Sequence, residues 1–345
     1  MLSIVTINEK EKWDDIVKSF NNYDVCYLSG YAKAFQLNGE GEPVLFYYDD
    51  NKTRAINVVM KRDIAKASSF EGRLSLNTYF DLSTPYGYGG FWIEGDDYES
   101  VNTVYDSYCR ENRFVSEFVR FHLFSGYQLH FSGVSVSKTH NVIRSLDIEL
   151  DEMLLDFEHK VRKNIKTADK AGLVVEVDTT GKRFDDFLEI YYETIYRTEA
   201  ANRFLFSKEF FKEINNLKDN YVYLHVLCDN KVISTELVLY GSENCYSFLG
   251  GTKQNYFSLR PNDFLKYEII KWAKDSGLKR YILGGGYGED DGIFKYKKSF
   301  APNGVCNFYI GKKIFDNEQY NELAKMYCTN KSANIDTGFF PIYRA

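Results

Sequence analysis

The sequence predicts an α/β (α+β) protein of two related domains, each a mixed, mostly antiparallel sheet flanked by helices. Three observations carry this reading. The 345-residue chain is too long for one ordinary core. Residues 221–228, 231–240 and 244–250 are β-rich runs, with Asp229 and Asn230 at the first turn, so they form an antiparallel meander. The order helix, meander, helix, strand then occurs twice, each time near a glycine-aromatic loop: Pro85-Tyr-Gly-Tyr-Gly-Gly-Phe91 in the first half and Gly284-Gly-Gly-Tyr287 in the second.

The elements follow from local pattern. Residues 8–20 place Trp13, Ile16, Val17 and Phe20 on one helical face, and 25–28 read as a strand. Runs 42–48 and 54–61 make a hairpin around the turn cluster 49–52. A helix over 96–112 and a strand over 114–123 complete the first half. In the second half a strand over 142–150 precedes one helix over 154–171, with Lys163, Lys166 and Lys170 opposite Val161, Ile165 and Ala168. Helices over 184–198, 208–217 and 263–275 and a strand over 280–283 follow. No Pro/Gly/Ser-rich linker intervenes, so the boundary is placed at 147/148, as a tight junction.

Composition narrows the function classes. A net charge of −6 provides no global field for nucleic acid, which argues against DNA binding and leaves RNA contact to local patches. Six cysteines without a C-x-x-C pair argue against a zinc site and a disulfide framework, and fit reduced thiols in the cytoplasm. The N-terminus lacks the pattern of a signal peptide and no apolar run reaches ~18 residues, so the expectation is a cytoplasmic protein without a membrane span. With 28 Tyr and 27 Phe, aromatic residues exceed what a core needs. Tyr suits sugar or peptide grooves, although an AT-rich genome accounts for most of the excess.

The segment from Ile282 to Phe300 carries the chemistry. Gly284, Gly285 and Gly286 allow positive φ and a close approach of backbone to ligand. Lys295 and Lys297 alternate with Phe294 and Tyr296, so an extended segment puts both lysines on one face, where Lys297 stabilises an oxyanion. The competing reading is a glycine-rich hairpin with a solvated basic edge. His122 is a candidate acceptor for an amine proton, or a hydrogen-bonded structural residue. Tyr86, Tyr88 and Tyr287 stack on a sugar or peptide, or else cap the core. Arg162, Lys163 and Lys166 neutralise a diphosphate or RNA backbone, or form a solvated helix face. Glu289, Asp290 and Asp291 orient an incoming amine or are solvated.

Lys160-Val-Arg-Lys-Asn-Ile-Lys-Thr-Ala-Asp-Lys-Ala-Gly172 resembles the K-x-R-x-N-I-x-x-A-x-x-x-G helix of the FemABX family of peptidoglycan aminoacyltransferases. Tyr192-Glu-Thr-Ile-Tyr-Arg-Thr198, Leu259-Arg-Pro-Asn-Asp-Phe-Leu265 and Phe294-Lys-Tyr-Lys-Lys-Ser-Phe300 are similar in order and spacing. The resemblance implies two tandem GNAT-like domains, 1–147 and 148–311, with 312–345 folding back onto the first. It implies transfer of an amino acid from aminoacyl-tRNA to an amine of a cell-wall precursor, with no cofactor or metal and with peripheral contact to a lipid-linked acceptor. The family's catalytic lysine falls on Lys297, with Arg260, Gly285, Gly286, Tyr296 and Lys295 in the matching substrate-binding segments. Two positions depart from the family: His122-Leu123 stands where relatives have Asp-Pro, and Lys208 stands near the place of a phosphate-binding arginine.

The rival on this scaffold is an acyl-CoA-dependent N-acyltransferase acting on an amino sugar or other envelope amine. Its pyrophosphate turn, Q/R-x-x-G-x-G/A, is replaced here by Phe257-Ser-Leu-Arg-Pro-Asn-Asp263, where Pro261 also removes an N–H. A non-catalytic glycan-binding module is the third reading. The oligomeric state stays open.

Overall fold

The computed structural model describes residues 1–199, 204–286, 288, 291–330 and 338–345. The chain divides into two compact units, one of Met1–Asn21, Cys26–Lys138 and Phe308–Ala345, the other of Asn22–Val25 and Thr139–Asn307.

In the first unit β1 (Leu2–Thr6), β2 (Glu42–Asp49), β3 (Arg54–Asp63) and β4 (Phe80–Ser83) pair antiparallel in that order, with β5 (Trp92–Glu94) also on β3. The β2–β3 turn is tight because the Asp50 carboxylate accepts the backbone N–H groups of Lys52 (2.9 Å) and Thr53 (2.7 Å), while Asn51 takes a left-handed φ of 71°. Helices α1 (Lys10–Lys18), α2 (Ser29–Leu37) and α3 (Tyr98–Glu111) belong to this unit, and β6 (Phe114–Arg120) runs parallel to β4. The strand expected at 25–28 is a short 3-10 turn, Val25–Tyr27, leading into α2. Val25, Cys26, Tyr27 and Leu28 are all buried, and an unbroken apolar run has no period that separates a strand from a buried turn.

β7 (Val134–Ser145) enters the second unit at Thr139, and α4 (Leu150–Asp156), α5 (His159–Lys170), β8 (Val174–Asp178), α6 (Phe184–Arg197) and α7 (Lys208–Asn215) follow. The meander β9 (Tyr221–Cys228), β10 (Lys231–Tyr240) and β11 (Asn244–Thr252) follows, then α8 (Pro261–Asp275), β12 (Arg280–Gly284) and α9 (Gly292–Lys298). Strand order is β7-β12-β11-β10-β9-β8, antiparallel except for the β11–β12 pair. Val161, Ile165 and Ala168 of α5 bury against Leu265, Ile269 and Ala273 of α8, as the helical spacing requires.

Three expectations for this unit are corrected. The strand placed at 142–150 is Val134–Ser145, and residue 150 already opens a helix. The helix placed at 154–171 is two helices, broken where Phe157 turns extended (ψ 148°) and the Glu158 N–H bonds to the Ser299 carbonyl (2.9 Å). The segment from Phe294, expected to be extended, is α9; the Asp291 carboxylate caps it by accepting the Phe294 N–H at 2.7 Å.

After α9, β13 (Val305–Ile314) pairs antiparallel with β6 of the first unit through Ile310–Ile314, and α10 (Asn317–Asn330) follows. Leu323, Tyr327 and Tyr343 close a core around Ile64, Phe70 and Val115, and the Tyr343 and Ser116 hydroxyls lie 2.7 Å apart. Each unit therefore has four consecutive strands in antiparallel order (β1–β4 and β8–β11), a parallel step (β4–β6 and β11–β12) and an antiparallel closing strand (β13 and β7). The closing strands are exchanged along the chain: the one that follows β6 closes the second unit, and the one that follows β12 closes the first.

Candidate active site

The parallel step in the second unit creates an opening. β11 and β12 pair only over Asn244–Tyr246 and Arg280–Ile282, and residues 247–252 of β11 instead line a cavity of about 550 Å³. The other walls come from α6, β10, the start of α8, and α9, all of the second unit.

A buried charge network forms one wall. Lys266 of α8 and Glu236 of β10 are 6% and 4% exposed, too dry for either to carry charge without the other. The Lys266 Nζ donates to Glu236 Oε2 (2.5 Å), Ser247 Oγ (2.6 Å) and the Tyr281 hydroxyl (3.1 Å), and that hydroxyl donates to Glu236 Oε1 (2.6 Å). Beside it, the Lys297 Nζ donates to the Gly285 carbonyl at 2.6 Å. Gly284 permits this turn with φ +80°, and a Cβ on Gly286 would lie 2.2 Å from the Asp291 carboxylate that caps α9. Burial, and then the nearby Lys266 charge, bring Lys297 down from 10.5 to about 8, against the opposing pull of Glu236 and Asp291.

The start of α8 forms another wall. Arg260 takes the left-handed N-cap position (φ 60°), Pro261 follows at the first helical position, and Asn262 and Asp263 face the cavity. Burial raises the Asp263 carboxyl, while a hydrogen bond with Asn164 of α5 acts in the opposite direction. Asn164 lies in the basic helix motif, which thereby gains a role in fixing the cavity wall. The Tyr296 hydroxyl and Thr194 Oγ1 are buried, have no hydrogen-bond partner and belong to cavity-lining residues. Such atoms are costly unless a ligand or water satisfies them. Arg197 lies 5.0 Å from the Phe257 ring centroid, and both residues join Arg260 in the lining.

Of the residues singled out in the sequence, the cavity brings together Lys297, Tyr296 and Arg260, while the Gly285 carbonyl accepts from Lys297 and Gly286 lies against the Asp291 carboxylate. Tyr287, Glu289 and Asp290 lie outside the described residues. Lys295, Lys163 and Lys166 are exposed on helix faces away from the lining. Arg162 donates to the Leu155 carbonyl (2.6 Å) at the end of α4, and Lys208 pairs with Asp185 (2.8 Å) on the surface. Neither lines the cavity. Tyr86, Tyr88 and His122 belong to the first unit. His122 is 1% exposed, lies edge-on to Trp92 at 4.8 Å, and accepts the Phe124 N–H on Nδ1 at 3.2 Å, an arrangement that packs and orients the ring. The Tyr86 side chain is exposed, and its carbonyl accepts from the Tyr31 hydroxyl at 2.6 Å.

Lys266, Glu236 and Tyr281 were missed in the sequence. The available signal was a charge on a buried face: Lys266 lies between Leu265 and Ile269 in α8, and Glu236 interrupts an apolar β10.

A family model described as an acetyltransferase (GNAT) domain matches residues 156–298, which include every residue lining the cavity. The lipid II:glycine glycyltransferase of Staphylococcus haemolyticus (strain JCSC1435) is 27% identical over 82 residues, 24% of this chain and 20% of that one. The crystal structure of FemX superposes with a TM-score of 0.68 at 15% identity, covering 93% of this chain and 99% of that one. The chain carries a GNAT-like domain and shares the fold of FemX. The L-PGS structure from Bacillus licheniformis shares the fold at a TM-score of 0.52 and 12% identity, over 92% of this chain and 94% of that one. The chain matches the curated glycyltransferase over about a fifth of that protein's length. Among its described residues, no helix is long and apolar enough to cross a membrane.

Proposed function

We propose that this protein is a FemABX-like transferase that moves an aminoacyl group from aminoacyl-tRNA to an amine of a cell-wall precursor in the cytoplasm. The observation that carries the reading is Lys297, fixed on the Gly285 carbonyl in a cavity inside the GNAT domain, beside the buried Lys266–Glu236 pair. Aminolysis of an ester needs an oriented amine, a polarised carbonyl and a path for one proton, and requires no covalent enzyme intermediate. Lys297 faces the carbonyl oxygen as negative charge develops there, an effect commonly worth ~3 kcal/mol. The unpaired Tyr296 hydroxyl and Thr194 Oγ1 are available to the acyl group, and the similarity to a lipid II:glycine glycyltransferase supports a lipid-linked acceptor.

The acetyltransferase description of the matching family favours a second donor, acyl-CoA. Arg260 and Pro261 at the start of α8 weigh against it, because the proline leaves one fewer N–H for a pyrophosphate. The test presents charged tRNA and acetyl-CoA side by side with peptidoglycan precursors and amino sugars. Lys297→Ala is expected to lower turnover ~100-fold with acceptor affinity retained. An unchanged rate would remove the lysine from the mechanism.

A further inference from the structure

The floor of the cavity holds two lysines and one buried carboxylate already in use. Both oxygens of Glu236 are engaged, Oε2 by Lys266 and Oε1 by the Tyr281 hydroxyl. Lys266 in turn directs its three N–H groups at Glu236, Ser247 and Tyr281, a full set for an ammonium. It is a fixed cation. Lys297 enters from α9 and is held by a neutral carbonyl.

Among the other described groups around Lys297, Asp291 pulls it toward its charged form, but less strongly than burial and Lys266 oppose this. Asp291, the cap of α9, accepts the Phe294 N–H on Oδ1 (2.7 Å) and the Gly288 N–H on Oδ2 (2.9 Å). Asp263 of α8 is held by Asn164, and burial favours its neutral form. Tyr281 of β12 and Tyr296 of α9 are phenols that burial keeps protonated. A second ammonium here meets a like charge in a poorly solvated space, so its charged form is disfavoured relative to an ordinary lysine.

We propose that Lys297 is the proton acceptor of the transfer step, and that Lys266, locked by Glu236, Ser247 and Tyr281, is the positioning residue that makes it so. The proposal rests on the acyl-transfer reading above. The acceptor amine attacks the donor carbonyl, forming a C–N bond; its nitrogen gives one proton to the Lys297 Nζ. The C–O bond to the donor hydroxyl then breaks, and the departing oxygen takes that proton, which restores the free amine of Lys297. Between these events the newly formed ammonium stands beside the oxyanion, so one side chain serves both stages. Lys266 cannot exchange roles, because its donors are all committed.

Competitive labelling of the intact protein with acetic anhydride across pH, read on the Lys297 peptide by mass spectrometry, tests this without substrate. The wild-type midpoint is expected near 8. In Lys266→Met the unpaired Glu236 carboxylate draws Lys297 toward its charged form, and the midpoint rises by at least one pH unit, a tenfold change in the charged-to-neutral ratio. Glu236→Gln moves it down, and Lys266→Arg leaves it in place. Circular dichroism identifies variants that fold, and Tyr281→Phe, which keeps the Lys266 charge but loosens its anchor, gives a smaller upward shift if Lys266→Met does not fold. A wild-type midpoint near 10, or no movement in any folded variant, overturns the proposal while leaving the acyl-transfer reading intact. With charged tRNA and precursor, the acid limb of kcat/KM is expected to follow the labelling midpoint in each variant. A rate independent of pH between 6 and 9 overturns the proton-acceptor role. No transfer from either donor overturns the function reading and this proposal with it, but leaves the labelling midpoint as measured.

Discussion

At the scale of single residues, the cavity stores an unfavourable charge. The ordinary lysine value is 10.5 and Lys297 sits near 8, so the folded state binds fewer protons than the unfolded chain between those values. Stability therefore rises with pH through that window, and the full penalty is present below about 8. Lys297→Met removes the penalty and is expected to stabilise the protein at pH 7 by about 1–2 kcal/mol, discounted for partial exposure, while turnover is lost. Thermal melts at pH 7 and pH 10 check this, because the gain over wild type should shrink at the higher pH. Lys297 was legible in the sequence because a glycine run and a lysine cluster lie within a few positions of each other. Lys266 and Glu236 were not, because their meaning depends on a 2.5 Å contact between residues 30 positions apart. The surroundings of His122 were hidden for a related reason: its Nδ1 bond to the Phe124 N–H and its aromatic neighbours can only be seen in three dimensions.

At the scale of elements, α9 presents Lys297, and Asp291 presents α9. Asp291→Ala leaves the Phe294 and Gly288 N–H groups without their acceptor and is expected to reduce stability by about 1 kcal/mol. Hydrogen exchange should rise over residues 292–298 and remain unchanged in α8. Gly251→Ala tests the wall opposite, since a Cβ there would lie 2.2 Å from Thr194 Oγ1 and 2.8 Å from the Ile190 carbonyl. α6 must then retreat from β11, with an expected loss of about 1–3 kcal/mol by thermal denaturation and weakened ligand binding. The meander β9–β11 and helix α8 could be read from the sequence because long alternating or helical periods and turn residues agree there. The four-residue alternation of Phe294–Lys297 was too short to identify a strand, and Asp291 looked like one more loop acid instead of a cap. The break between α4 and α5 was also hidden, because Phe157 and Glu158 carry no proline or glycine to mark it.

At the scale of the whole chain, the repeated plan was visible in the sequence, but the exchange of closing strands was not, since strand pairing over such separations leaves no local trace. The first unit depends on its returning segment: β13 pairs with β6, and Leu323, Tyr327 and Tyr343 cover Ile64, Phe70 and Val115. Truncation after residue 316 is expected to destabilise that unit by more than about 3 kcal/mol, since several buried side chains are lost together. Hydrogen exchange should accelerate in β3, β4 and β6 while β9–β11 stay protected. This arrangement also sets an order of events during synthesis. A ribosome has delivered every strand of the second unit by residue 284, yet the first unit still lacks β13. The half of the protein that is made first is therefore the last to be completed, and until then the free edge of β6 remains open to pairing with other chains.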